Sequence, residues 1–114
     1  YLTDIQILQR DAFLRFGVLL PISGGIGNSI DNPVIVGKSP NSDINPAFVS
    51  KRYLATIFLG RGVEFVYDKQ ELLEHNGKMI DRITHIIEFE GSEGRIKQKE
   101  SFYFDVSLYF GNKE

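Results

Sequence analysis

The sequence predicts an α+β fold: an N-terminal helix packed on a curved, mostly antiparallel sheet of about six strands, ending in a long β-hairpin over residues 79–90 and 95–110. Three observations carry this. Apolar residues near the N-terminus recur at three- and four-residue steps, those near the C-terminus alternate at two, and turns bearing Gly, Asn or Pro separate the segments between. With 114 residues, 42% of them hydrophobic and 25% charged, the composition suits one folded domain over residues 1–114.

Leu2 to Phe16 reads as a helix. Thr3 and Gln6 form a capping-box pattern, Asp4 complements the helix dipole, and Gly17 supplies a stop. Ile5, Leu8, Ala12 and Phe16 make one apolar stripe, widened by Phe13. Val18 to Ile22 reads as a short strand entering a glycine-rich loop, Ser23 to Ser29. Pro33 then opens a second short strand, Val34 to Val36, and Gly37 to Asn45 is turn chemistry.

Asn45-Pro46 looks like an N-cap followed by proline at the first helical position. Two readings follow it. Either one helical turn, Ala47 to Lys51, precedes a strand from Arg52 to Leu59, or a single helix runs from Pro46 to Leu59 with Gly60 as its C-cap. The aromatic and β-branched run Tyr53 to Phe58 favours the strand, with Gly60-Arg61-Gly62 as a hairpin loop. Val63 to Tyr67 would be the returning strand, with Val63, Phe65 and Tyr67 on one face. Asp68 to His75 is built from strong helix formers and reads as a short helix ended by Asn76-Gly77; the competing reading makes that dipeptide a type I′ hairpin turn.

The C-terminal hairpin is the most strongly patterned part. Charge and apolar alternation together set its register: Glu90 opposite Arg95, Glu88 opposite Lys97 and Thr84 opposite Ser101 on the wet face, Phe89 opposite Ile96 and Ile83 opposite Phe102 on the dry one. A slip of one residue would turn the apolar set to solvent. A strand over residues 95–110 would extend ~50 Å, so the sheet is expected to twist, bulge or curve.

That register places His85 opposite Glu100 on the otherwise apolar face, with Gln98 diagonal to His85 and Asp81 four residues along the same face. An unpaired buried polar group costs about 1–3 kcal/mol, so these side chains need partners or a purpose. In the structural reading His85 and Glu100 satisfy each other where the sheet face is partly covered. In the functional reading they line a cavity under the helix, as an acid–base dyad His85/Glu100 with Gln98 and Asp81 as ligand-binding groups.

Other classes are weighed out. The absence of Cys excludes a disulfide framework, thiolate metal sites and a thiol nucleophile, and Asp81, His85 and Glu100 would spread over ~13 Å, too far for one ion. Neither a metal nor a cofactor is expected. The loop Ser23 to Ser29 has Asn28 where a phosphate loop needs lysine, and Asp31-Asn32-Pro33 where it needs a helix. A net charge of −2 argues against nucleic acid, and Glu88 and Glu90 offset the basic strand bearing Tyr103 and Tyr109. No apolar run approaches the ~18 residues of a membrane span. No compartment follows from the residues. The expected function is a small non-enzymatic binding module contacting a protein or enclosing a small molecule. The alternative is a cofactor-free enzyme using His85 and Glu100, and a third reading is a homodimer joined through sheet edges or faces.

Overall fold

The computed structural model describes residues 1–110. In chain order the elements are α1 (Asp4–Phe16), β1 (Ile22–Gly24), β2 (Val34–Val36), α2 (Pro46–Arg61), β3 (Glu64–His75), β4 (Lys78–Gly91), β5 (Gly94–Asp105) and a 3-10 turn, Ser107–Tyr109. The α+β class is as predicted, but the sheet has five strands rather than six, in the order β1-β2-β5-β4-β3. It is mixed: β2 runs parallel to β5, pairing Val34 with Phe104, while the other neighbours are antiparallel.

Helix α1 forms where its caps lie. Thr3 Oγ1 accepts from Gln6 N–H at 3.3 Å while Gln6 Oε1 accepts from Thr3 N–H at 2.8 Å, and Gly17 closes the last turn with φ +72°. Residues 18–21 are not strand; the chain enters β1 only at Ile22.

The segment after Pro46 is helix, so the favoured strand over 52–59 is overturned. Asn45 Oδ1 accepts from Phe48 N–H at 2.9 Å, Pro46 occupies the first turn, and the C-cap is Gly62, not Gly60, with φ +72°. Val49, Tyr53, Leu54, Thr56 and Phe58 are all buried, because α2 is covered by α1 on one side and the sheet on another. Burial over so wide an arc erases the one-sided stripe that marks a surface helix. The aromatic run was a signal of burial rather than of strand.

Residues 68–75 are likewise strand, not helix. Asn76 and Gly77, at φ 52° and 78°, make the two-residue turn between β3 and β4, and Glu71 pairs across to Arg82. Helix propensity in this stretch yields to a fourteen-residue neighbouring strand that supplies the pairing. A bulge at Asp68 interrupts the β3–β4 ladder: Tyr67 pairs with His85, then Lys69 with Thr84. The extra residue switches parity, so Phe65 and Tyr67 before it share a face with Gln70 and Leu72 after it.

The β4–β5 hairpin has the expected register at every predicted pair, including His85 opposite Glu100. Strand β5 stops at Asp105, short of the predicted 110. Asp105 Oδ1 instead accepts from Ser107 N–H at 2.9 Å and begins the 3-10 turn. On the face expected to be wet, Thr84 is buried, its hydroxyl 2.7 Å from that of Ser101, and Arg95 contacts Glu88 and Glu90 at 3.2 Å each, taking the Glu88 contact expected of Lys97.

The core lies between the helices and one sheet face. Ile5 and Ala12 of α1 and Val49, Tyr53 and Phe58 of α2 meet Val34, Val36, Phe102 and Phe104. Tyr53 sits edge-on to Phe104 with ring centres 5.6 Å apart, and its hydroxyl donates to the Ile26 carbonyl at 2.6 Å. Burial pushes the phenol pKa up, so it remains a donor. The Tyr53→Phe variant is expected to lose about 1–2 kcal/mol by urea denaturation at unchanged m-value, since the loop carbonyl loses its donor. A loss under about 0.3 kcal/mol would show that this bond does not hold the glycine-rich loop to α2.

Candidate functional site

Strand β3 is one edge of the sheet, beside β4. Helix α2 and β3 run in opposite directions from the Gly62 turn, with Phe58 and Phe65 ring centres 5.2 Å apart near it. Farther along they diverge, and a groove of 410 Å³ opens between them. One wall is α2, through Ala47, Ser50, Lys51, Leu54 and Ala55. The facing wall is β3, through Phe65, Tyr67 and Gln70, with Ile83 and His85 of β4 as the floor. The bulge at Asp68 makes this wall possible, because Tyr67 and Gln70 could not both face the helix on an uninterrupted strand.

His85 is half-buried amid three rings: Phe58 at 5.3 Å, Tyr67 at 6.0 Å and Phe65 at 6.1 Å between centres. Its Nδ1 is buried and finds no hydrogen-bond partner, the sole such side-chain nitrogen or oxygen among the described residues. Burial in this apolar setting lowers its pKa below the usual 6.5, so the imidazole is neutral at pH 7.

The expected mutual satisfaction of His85 and Glu100 does not form. Their backbones are directly opposite, yet the Glu100 carboxylate accepts both Arg61 Nη1 at 2.7 Å and Nη2 at 2.9 Å. Arg61 is the last residue of α2, its guanidinium over the Phe58 and Phe102 rings at 5.7 and 5.9 Å. The hydrogen bond to Glu100 raises its pKa further, outweighing partial burial. Glu100 therefore fastens the helix to the sheet rather than orienting the imidazole. Arg61 went unseen as its partner because residues 60–62 read as a hairpin loop.

The other two predicted residues also separate. Gln98 is exposed, opposite Ile87 and outside the groove. Asp81 accepts from Gln70 Nε2 at 2.8 Å and so holds a groove-lining side chain in place without lining the groove itself. Burial raises the Asp81 pKa, partly offset by that hydrogen bond. Of the four, His85 alone lines the groove. Lys51, Tyr67 and Gln70 were missed. Asn45-Pro46 was the available signal for Lys51, since it starts a helix that carries position 51 to the groove.

Among the described residues no group of three or more His, Cys, Asp or Glu is placed to hold a metal ion, and no helix is long and apolar enough to cross a membrane. The glycine-rich loop is packed as structure: a Cβ at Gly25 would meet the Asn32 side chain, and Gly27 lies against the Tyr103 backbone. Comparison with protein-family models, curated proteins and solved structures gives no match.

Proposed function

We propose that this protein is a non-enzymatic binding module whose groove between α2 and β3 takes up a small, largely apolar molecule. The observation that carries the reading is the 410 Å³ groove floored by a histidine with an unpartnered buried nitrogen. A volume of this order is typical of small-molecule sites, which combine apolar walls with a few polar groups. An imidazole in an aromatic surround is a costly residue to keep there for packing alone, and the ring borders the groove although its Nδ1 is shielded from it. The expected curvature belongs to this proposal, with the Asp68 bulge bending β3 around the bound molecule.

A second reading, a cofactor-free enzyme, draws support from the neutral His85, a competent proton acceptor at pH 7. The Arg61–Glu100 pair weighs against it, because no carboxylate is left to orient the ring.

The test uses N-phenylnaphthylamine, an uncharged probe that fluoresces in apolar sites. The native protein is expected to bind it saturably with one-to-one stoichiometry. Ala55→Phe, which places a ring in the groove, is expected to weaken binding at least about tenfold with circular dichroism unchanged. Equal binding by both proteins, or no saturable binding by the native one, overturns the reading.

A further inference from the structure

Lys51 is the one charged side chain lining the groove. It makes no ion pair among the described residues, unlike Arg61, Arg82, Arg95 and Lys99, each of which meets a carboxylate. Its α2 neighbour Arg52 is engaged differently, over the Phe48 ring at 4.4 Å. The remaining lining is apolar or neutral. Ser50 Oγ already donates to the Ala47 carbonyl at 3.2 Å, and Gln70 Nε2 already donates to Asp81. The groove thus offers a long apolar surface with a single positive charge on its helical wall and no negative charge in its lining. We infer that its ligand is a hydrophobic monocarboxylate, an aliphatic or aromatic acid whose body lies along Leu54, Ala55 and Phe65 and whose carboxylate pairs with Lys51.

The geometry sets the ligand's scale. Positions 47 to 55 cover ~12 Å of α2 at 1.5 Å per residue with Lys51 midway, so a carboxylate held there leaves ~6 Å of helical wall toward Ala55, and a longer chain continues across the groove toward Phe65. A lysine in this position keeps its charged end near water while its stem covers apolar surface, so the acid's carboxylate stays at the groove mouth and is not desolvated. The two ends of such a ligand ask for different things, and the groove supplies both. A dicarboxylate would place its second charge among Leu54, Phe65 and Ile83 and is excluded by its desolvation cost. An ammonium of the same chain length would meet Lys51 and be repelled.

This inference rests on the groove being a ligand site, and the experiment separates the two. Decanoate, decanol and decylammonium, each below its aggregation threshold, compete for N-phenylnaphthylamine at pH 7.5. Decanoate is expected to bind about fivefold more tightly than decanol, with decylammonium weakest. Lys51→Gln is expected to bring decanoate to the level of decanol while leaving decanol and the probe within about twofold of native. Equal affinity for decanoate and decanol in the native protein, or a decanoate preference that survives Lys51→Gln, overturns the monocarboxylate assignment and leaves the groove as a site. Tightest binding of decylammonium likewise overturns it, since the lining would then favour a cation. Failure of the probe and all three competitors to bind overturns both.

Discussion

Phe58→Ala is expected to lower stability by about 3–5 kcal/mol, the range for truncating a fully buried aromatic residue. Phe58 is completely buried, and its ring meets Phe65 at 5.2 Å, His85 at 5.3 Å and Phe102 at 5.9 Å. It is the point at which α2 touches all three long strands. Small rearrangement cannot fill the space, because β3, β4 and β5 are tied to one another by ladders on both sides of the Asp68 bulge and cannot close independently onto the helix. The loss is large against a domain's usual total of about 5–15 kcal/mol, so urea denaturation at 15 °C, with a folded baseline, is the measurement. Phe58→Leu should keep most of the volume and lose about half as much. A Phe58→Ala loss below about 1 kcal/mol would mean that α2 does not rest on the sheet as described.

His85→Leu is expected to act in the opposite direction, raising stability at pH 7 by about 1 kcal/mol, because it replaces a ring with an unpartnered buried nitrogen by an apolar side chain in an aromatic setting. The gain should depend on pH. Burial depresses the folded-state pKa of His85 below its unfolded value near 6.5. Above that value neither state binds the proton and the histidine carries no pH-dependent penalty. As pH falls through 6.5 the unfolded chain takes up a proton that the folded chain refuses, so native stability declines until the depressed folded pKa is reached. The leucine variant lacks this decline, and the gap between the proteins should widen over that window. Asp81, whose raised pKa acts in the opposite sense, is common to both and cancels in the difference. The same variant should bind hydrogen-bonding ligands less well, the familiar exchange of stability against function. A stability loss at pH 7, or a pH-independent difference, would show that the imidazole is satisfied in the folded protein.

The hairpin could be read from sequence because its register is over-determined. Glu90 and Arg95, Thr84 and Ser101, and Ile83 and Phe102 all point to one alignment, and the structure has it. Residues 52–59 and 68–75 misled for complementary reasons. The first is a helix buried on so many sides that its composition looks like that of a strand. The second is a strand of helix formers, held by the Glu71–Arg82 pair and the Asn76-Gly77 turn. The site suffered accordingly. His85 was located by register alone. The partner of Glu100, the groove and its cation all depend on α2 being a helix, which the strand-like composition of residues 52–59 conceals. The bulge at Asp68, which builds the far wall, leaves no mark in composition or alternation strong enough to read.

The parallel pairing of β2 with β5 has a consequence for how the chain folds during synthesis. The β3–β4–β5 meander is local, each strand joined to the next by a tight turn. The β2–β5 ladder is not, and the nearby bond from Tyr109 Oη to the Gly37 carbonyl, at 2.9 Å, spans 72 positions. A nascent chain emerging from the ribosome therefore carries α1, β1, β2 and α2 outside the exit tunnel before their sheet exists. Val34, Val36 and Tyr53, all fully buried in the finished molecule, then have no surface to pack on until β5 emerges. The N-terminal half is the part of this protein that waits.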